Sequence, residues 1–208
     1  CFFFDEKGNF IEGYYLVGLL AKSFLNKNRN EKVIYDPRLT WNTIDVVERY
    51  GGDAIQCQSG HSFIKKSMRD NDAVYGGEMS AHHYFRDFYY CDSGMIPWLL
   101  ILEMISEEKM PLSQMIQKYR EKYPVSGEIN LKVSNTKTII DSIKEYYLDE
   151  ALGVDETDGV GMEFEKWRFN LRASNTEPLI RLNVESNSNE SLMNEKTREL
   201  VDRINSLD

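Results

Sequence analysis

Three short apolar runs, each separated from the next by a helical stretch, constrain this chain more than any other feature. Val33-Ile34-Tyr35, Ala54-Ile55-Gln56-Cys57 and Ala73-Val74-Tyr75 read as strands, and helical periodicity fills Thr43 to Tyr50 and Phe63 to Arg69 between them. Gly51-Gly52 stops the first of these helices, and Gly76-Gly77 reads as the stop after the third run. Strand and helix alternating at this spacing predict an α/β layered domain with a mainly parallel mixed sheet. Ligands of such sheets meet the loops at the carboxyl ends of the strands. Ahead of this pattern, Cys1 to Asp5 reads as a strand, Glu6-Lys7-Gly8-Asn9 as a turn and Phe10-Ile11 as a returning strand. Leu16, Leu19, Leu20 and Phe24 then place a helix over Tyr14 to Leu25. Gly77 to Ser93 reads as a long aromatic and polar loop. Two helices follow, the first with Pro97 in its opening turn and the second over Leu112 to Lys122.

The pattern changes at Pro124-Val125-Ser126-Gly127. Beyond it Ile129, Leu131 and Val133 alternate as in a half-buried antiparallel strand. A helix over Ile139 to Tyr147, strands over Gly161 to Phe164, Trp167 to Leu171 and Leu179 to Glu185, and a helix over Leu192 to Ile204 complete a smaller α+β domain with an antiparallel sheet. At 208 residues the chain is long enough for two domains.

Composition narrows the class of partner. With 25 basic against 34 acidic residues the chain carries −9, which disfavours a broad nucleic-acid or anionic-membrane surface. The most apolar stretch, Met95 to Ile105, is too short to span a bilayer and contains Pro97 and Glu103. Cys1, Cys57 and Cys91 are widely spaced and form no Cys-x-x-Cys pair, so neither a disulfide scaffold nor a zinc site is indicated, and cysteine usage points to the cytoplasm. The acidity is uneven: 10 basic minus 17 acidic residues from Val125 onward give −7, against 15 minus 17, or −2, before it. Arg172 and Arg181 are therefore conspicuous in an acidic domain.

Three constellations carry chemistry. Gly76-Gly77-Glu78-Met79-Ser80-Ala81-His82-His83 groups a carboxylate, a hydroxyl and two imidazoles, a set suited to a polyol whose hydroxyls both donate and accept. The alternative is a surface loop satisfying its own backbone. Arg172-Ala173-Ser174-Asn175-Thr176-Glu177-Pro178, between two strands, has the guanidinium fork, hydroxyls and small-residue N–H groups of a phosphate cradle, although Ser-Asn-Thr is also good chemistry for an ordinary turn. Asp36-Pro37-Arg38 and Ser59-Gly60-His61 occupy equivalent strand-to-helix turns, where a lone histidine is often no more than a helix cap. No nucleophile has an adjacent base, and no acidic metal cluster is present.

Gly77-Glu78-Met79-Ser80 with His82, and Arg172-Ala173-Ser174-Asn175-Thr176-Glu177-Pro178, resemble the sugar-binding and phosphate-binding loops of the α-D-phosphohexomutase family. Met79 and the segment Ala81 to Asp87 are similar to those of its bacterial phosphomannomutases. The resemblance covers essentially the whole chain. It implies four domains in the complete polypeptide, with Cys1 to Phe10 the tail of the metal-binding second, Ile11 to Pro124 the sugar-recognition third and Val125 to Asp208 the phosphate-binding fourth. It further implies that Glu78, Ser80 and His82 hold the sugar and that Arg172, Ser174, Asn175 and Thr176 hold the phosphate that is not transferred. His61 and Arg38 match accessory positions near the reacting end. The phosphorylated serine and an Asp-Gly-Asp-x-Asp-Arg loop for Mg²⁺ are expected upstream of Cys1, so the chain itself holds no catalytic nucleophile and no metal. The implied reaction moves a phosphoryl group between O6 and O1 of mannose through a bisphosphorylated sugar that turns around in the site. O3 and O4 lie near the turning axis, where one clamp serves both orientations. Two other readings are a preference for glucose phosphates and a free-standing sugar-phosphate binding module. Ala81, Gln58 and Arg38 depart from the Gly, Lys and Lys of many members. Gln58 cannot act as a base and Arg38 stays protonated, which counts against proton transfer at those two positions.

Overall fold

The computed structural model describes residues 1–174 and 177–208. It divides into two units, Cys1–Arg120 and Glu121–Asp208. The first opens with a small antiparallel hairpin, β1 (Phe3–Phe4) and β2 (Phe10–Ile11). There follow α1 (Gly13–Lys27), β3 (Lys32–Tyr35), α2 (Trp41–Arg49), β4 (Asp53–Gln56), α3 (His61–Asn71) and β5 (Tyr75–Gly77). Next come β6 (His83–Phe85), a 3₁₀ turn (Arg86–Phe88), β7 (Cys91–Asp92), α4 (Met95–Glu108) and α5 (Leu112–Lys122), within which the boundary between units falls. The sheet runs β4-β3-β5-β6-β7: the first three strands are parallel, and β6 and β7 extend it antiparallel.

Two expectations are corrected here. Gly77 to Ser93 is not one loop, because β6 and β7 lie inside it. Gly76 and Gly77 do not follow the third strand as a turn but form its last two residues, after Tyr75. They are part of β5, and the reason is steric. A side chain on Gly76 would meet Ile64 and Met68 of α3 at 3.1 and 2.8 Å, and one on Gly77 would meet Val17 of α1 at 2.7 Å. Neighbouring strand residues point to opposite faces, so the pair lets a helix approach the sheet closely from each side. Helix α1 is buried around most of its circumference, including Leu16, Leu19 and Leu20, as a helix enclosed by α2, α4 and β5 must be.

The second unit contains β8 (Ile129–Lys132), α6 (Thr136–Tyr147), β9 (Gly153–Asp155), β10 (Val160–Glu163), β11 (Trp167–Ala173), β12 (Leu179–Ser186) and α7 (Glu190–Leu207). Its sheet is antiparallel throughout, in the order β8-β12-β11-β10-β9. Asn135 and Asn189 begin the two helices: each side-chain oxygen accepts from the backbone N–H three residues on, at Thr138 and Leu192. Ile139, Ile143, Leu200 and Ile204 bury their side chains together with Phe169, Leu171, Ile180 and Leu182 from one face of the sheet. The alternate residues of β11 and β12 form polar cross-strand pairs on the other face: Arg168 with Glu185, Asn170 with Asn183 and Arg172 with Arg181.

Candidate functional site

In the first unit the site grows from the carboxyl ends of the three parallel strands. The loop after β3 supplies Asp36 and Arg38, the loop after β4 supplies Gly60, and the loop after β5 supplies Glu78 to His82. Asp36 is buried and ties them together. Its carboxylate accepts from Arg38 Nε and Nη2, both at 2.9 Å, from the Arg38 backbone N–H at 3.0 Å and from the Met79 backbone N–H at 2.7 Å. Burial alone would raise the Asp36 pKa; the Arg38 guanidinium and these donors outweigh it and hold the carboxyl below its ordinary value. Arg38 reaches on to Ser80, donating from Nη2 to Oγ at 3.3 Å, and lies 3.8 Å from Glu78 Oε1.

Glu78 is also buried, 4% exposed, and each of its two oxygens has its own donor. The Tyr84 hydroxyl donates to Oε2 at 2.6 Å, and the Gly60 N–H, at the start of α3, donates to Oε1 at 2.9 Å. Burial, and then the hydrogen bond to Glu78, push the Tyr84 hydroxyl far above its ordinary pKa, so it remains a donor. A carboxylate offers about four lone-pair positions, so acceptor capacity remains after these two bonds. The loop itself is a tight turn in which Glu78 N–H donates to His82 O and Ala81 N–H to Glu78 O. The turn requires φ +66° at Ala81, which explains physically why glycine suits that position. It also presses on α1: a side chain at Gly13 would collide with the Met79 carbonyl.

The expected residues do not all converge. Arg38, Glu78 and Ser80 form one cluster, with Glu78 and Arg38 buried and Ser80 exposed. His61 is exposed at the first turn of α3, next to the Gly60 that binds Glu78. His82 is exposed and pairs with Asp92 at 3.2 Å rather than with the cluster. The residues that hold the cluster in shape, Asp36 and Tyr84, were not singled out for that role from sequence. Tyr84 was hidden within the aromatic segment read as a loop, whereas Asp36, two residues before Arg38 at a strand end, was a usable signal.

In the second unit Arg172 lies near the end of β11, directly opposite Arg181 on β12. Arg172 approaches Glu128 at 3.6 Å and Asp158 at 3.8 Å, and Arg181 approaches Glu128 at 3.4 Å. The Asp158 turn depends on Gly159, which adopts φ +76° and would set a side chain 2.5 Å from Arg172 Cβ. Ser174 N–H donates to Leu179 O at 2.9 Å, closing the strand connection. Asn175 and Thr176 lie outside the described residues. Among the described residues no group of three or more His, Cys, Asp or Glu side chains could hold a metal ion, and no helix is long and apolar enough to cross a membrane.

Comparison with known proteins fits this two-part geometry. Residues 12–123 match the model for phosphoglucomutase/phosphomannomutase, alpha/beta/alpha domain III, and residues 128–201 match that for the phosphoglucomutase/phosphomannomutase C-terminal domain. A phosphomannomutase of Vibrio cholerae is 57% identical over 100% of this chain and 45% of its own length. A Xanthomonas campestris protein named phosphohexose mutases is 54% identical over 96% of this chain and 45% of its own. The crystal structure of a phosphoglucomutase/phosphomannomutase family protein from Burkholderia thailandensis superposes with a TM-score of 0.78 at 26% identity, covering 95% of this chain and 43% of that one. The chain thus spans somewhat under half the length of these relatives. On the matches to both domains over most of its residues, the chain belongs to the phosphoglucomutase/phosphomannomutase family and carries its domain III and C-terminal domain.

Proposed function

We propose that this chain is the substrate-recognition part of a phosphomannomutase, an isomerase interconverting mannose 6-phosphate and mannose 1-phosphate through a phosphoserine and a bisphosphorylated intermediate. The observation that carries the reading is the buried, doubly oriented Glu78 carboxylate, set beside Ser80 and Arg38 at the carboxyl ends of three parallel strands. Such a carboxylate accepts from neighbouring sugar hydroxyls without having to reorganise. Ser80 adds a donor and acceptor at the exposed side, and Arg38, fixed by Asp36, supplies charge and donors. Arg172, with Ser174, Asn175 and Thr176, takes the phosphate that stays on the sugar, its planar fork matching two phosphate oxygens. His82 adds a further contact to the substrate, and His61 takes an accessory place near it.

The phosphoserine and the Mg²⁺ loop belong to residues upstream of Cys1 in the same polypeptide, and Mg²⁺ would neutralise charge on the transferring group there. The chain therefore binds and orients but does not turn over alone. It needs neither nucleic acid nor membrane as partner, and the enzyme works in the cytoplasm. The name of the Xanthomonas relative favours one further reading, a broader hexose range that includes glucose phosphates.

Conversion of mannose 1-phosphate, assayed with Mg²⁺ and a bisphosphorylated hexose, tests the proposal. The polypeptide extended through its upstream serine and acidic loop should turn over while the 208-residue chain stays at the buffer blank. Turnover by the short chain would overturn the division of labour.

A further inference from the structure

Two of the strands that end at the candidate site begin beside a second hollow. The turn after α1 leads into β3 and the turn after α2 leads into β4, and the two turns are tied where Asn30 N–H donates to Gly51 O at 2.8 Å. Between them lies a pocket of about 340 Å³, lined by Leu25, Asn26 and Arg29 from the α1 end and by Glu48, Arg49 and Tyr50 from the α2 end. That volume is in the range of small-molecule sites. Because β3 and β4 are four residues long, the pocket and the Asp36–Arg38–Glu78 cluster lie at opposite ends of a layer about 13 Å deep.

Leu25 is buried and supplies the apolar part of the lining, which Gly52 permits: a side chain there would meet Leu25 at 2.6 Å. Tyr50 is half-buried, with Lys22 Nζ 5.9 Å from its ring centre. Arg49 is steadied from its own helix, donating from Nη2 to Asp45 at 2.6 Å, and its other N–H groups remain for a partner. The neighbouring lysines are already matched, Lys22 by Glu108 and Lys27 by Glu103. Arg29 and Glu48 are exposed and form no ion pair with any described residue. Two guanidinium groups, a carboxylate, an amide and an aromatic ring together complement a phosphate ester of a hydroxylated ring. Guanidinium forks match phosphate oxygens, a carboxylate accepts from hydroxyls, and an aromatic ring offers a flat apolar face.

We propose that this pocket is a second ligand site, separate from the candidate site, and that it takes a phosphate carried on a polyhydroxylated ring, as in a hexose phosphate or a nucleoside phosphate. Arg29 and Arg49 bind the phosphate, Glu48 and Asn26 hydrogen-bond the ring hydroxyls, and Tyr50 packs against the ring. The site does not depend on the proposed function. The other role open to arginines at two helix ends is to complement the helix dipoles, which affects stability and not binding.

Amide NMR of the labelled 208-residue chain resolves this pocket from every other anion-binding position. Mannose 1-phosphate, adenosine monophosphate and inorganic phosphate are titrated in turn into wild type and into Arg29→Gln, Arg49→Gln and Glu48→Gln variants, whose stability is measured by urea unfolding. At least one of the two esters should give saturating shifts at Asn26, Tyr50 and Gly51, and the tighter ester identifies the source. Each arginine change should weaken that binding about tenfold, the loss of a hydrogen bond between charged groups. Glu48→Gln should reduce the preference for the ester over inorganic phosphate about fivefold, the net value of one hydrogen bond. Absence of these shifts with both esters, or inorganic phosphate binding there as tightly as the esters, would overturn the proposal. Lower stability with unchanged ester affinity in Arg29→Gln would also overturn it and assign the arginines to the helix ends alone. Shifts at Ser174 and Ser80 in the same spectra report on the proposed function independently.

Discussion

On the proposed function, the two units solve ligand recognition in opposite ways. In the first, every charged group of the Asp36–Arg38–Glu78 cluster is buried and held by donors or acceptors at 2.6 to 3.3 Å. In the second, among the described residues, Arg172 and Arg181 meet their counter-charges at 3.4 to 3.8 Å and keep buried nitrogen atoms without partners. The difference follows from the proposed ligands. A neutral sugar hydroxyl brings little electrostatic energy, so the groups that receive it must be fixed beforehand. A phosphate brings two charges and can reorganise a loosely held site.

The comparison breaks most readily at Asp36. Its replacement by alanine leaves the Arg38 guanidinium buried without its main counter-charge, and loss of one partner of a buried pair costs about 3–5 kcal/mol. Urea unfolding of the 208-residue chain should show that loss in the first unit, while Glu128→Ala in the second unit should cost less, its approaches to Arg172 and Arg181 being 3.6 and 3.4 Å. Equal losses would remove the contrast. Asp36 has a lowered folded pKa, so its contribution is intact at neutral pH and is lost only as pH falls through that lowered value, below 3.8.

Mild acid should separate the units next. All three histidines, His61, His82 and His83, lie in the first unit. His83 is buried, its Nδ1 is 2.7 Å from the Tyr75 hydroxyl, and burial lowers its pKa from 6.5 to about 3. The unfolded chain therefore binds more protons between those values, and stability falls as pH drops below 6.5. Linkage gives a loss of about 2 kcal/mol at pH 5. Urea midpoints at pH 7 and pH 5 should move for the first unit in wild type and much less in His83→Gln. A shift of equal size in the second unit would need another cause.

Tyr84→Phe is a smaller and more local change. It removes the donor at Glu78 Oε2, an interaction with a charged acceptor that contributes about 1.5 kcal/mol, so mannose 1-phosphate should bind roughly tenfold weaker while inorganic phosphate binds as before. The smallest effect is expected at Ala81. Its φ of +66° strains any residue with a side chain, and Ala81→Gly should stabilise the first unit by up to about 1 kcal/mol in the same urea experiment. A loss would show that packing of the buried Ala81 methyl outweighs the strain.

Much of this architecture can be read from the chain itself, since long periodic segments such as α1, α7 and the alternation in β11 and β12 declare themselves. The short strands do not. His83–Phe85, Cys91–Asp92 and Gly153–Asp155 are two or three residues long, too few to show a period of two. Gly76-Gly77 misleads because its glycines serve close helix packing on both faces, a tertiary demand that imitates a turn signal. The proposed recognition residues are visible by type, as an acid and a hydroxyl after a strand and an arginine in an acidic domain. Of their supporting residues Asp36 is visible at its strand end, but Tyr84 and Asp158 are not, because they meet their partners through the sheet pairing and a turn made by Gly159.

The division between a preformed sugar site and a yielding phosphate site is tested most directly by backbone amide NMR of the isotopically labelled 208-residue chain. Inorganic phosphate should move the amides of Arg172, Ser174 and Arg181 and leave Gly60, Met79 and Ser80 in place, whereas mannose 1-phosphate should move both groups. Phosphate-induced shifts centred on Gly60, Met79 and Ser80, or mannose 1-phosphate shifts confined to the second unit, would contradict the account.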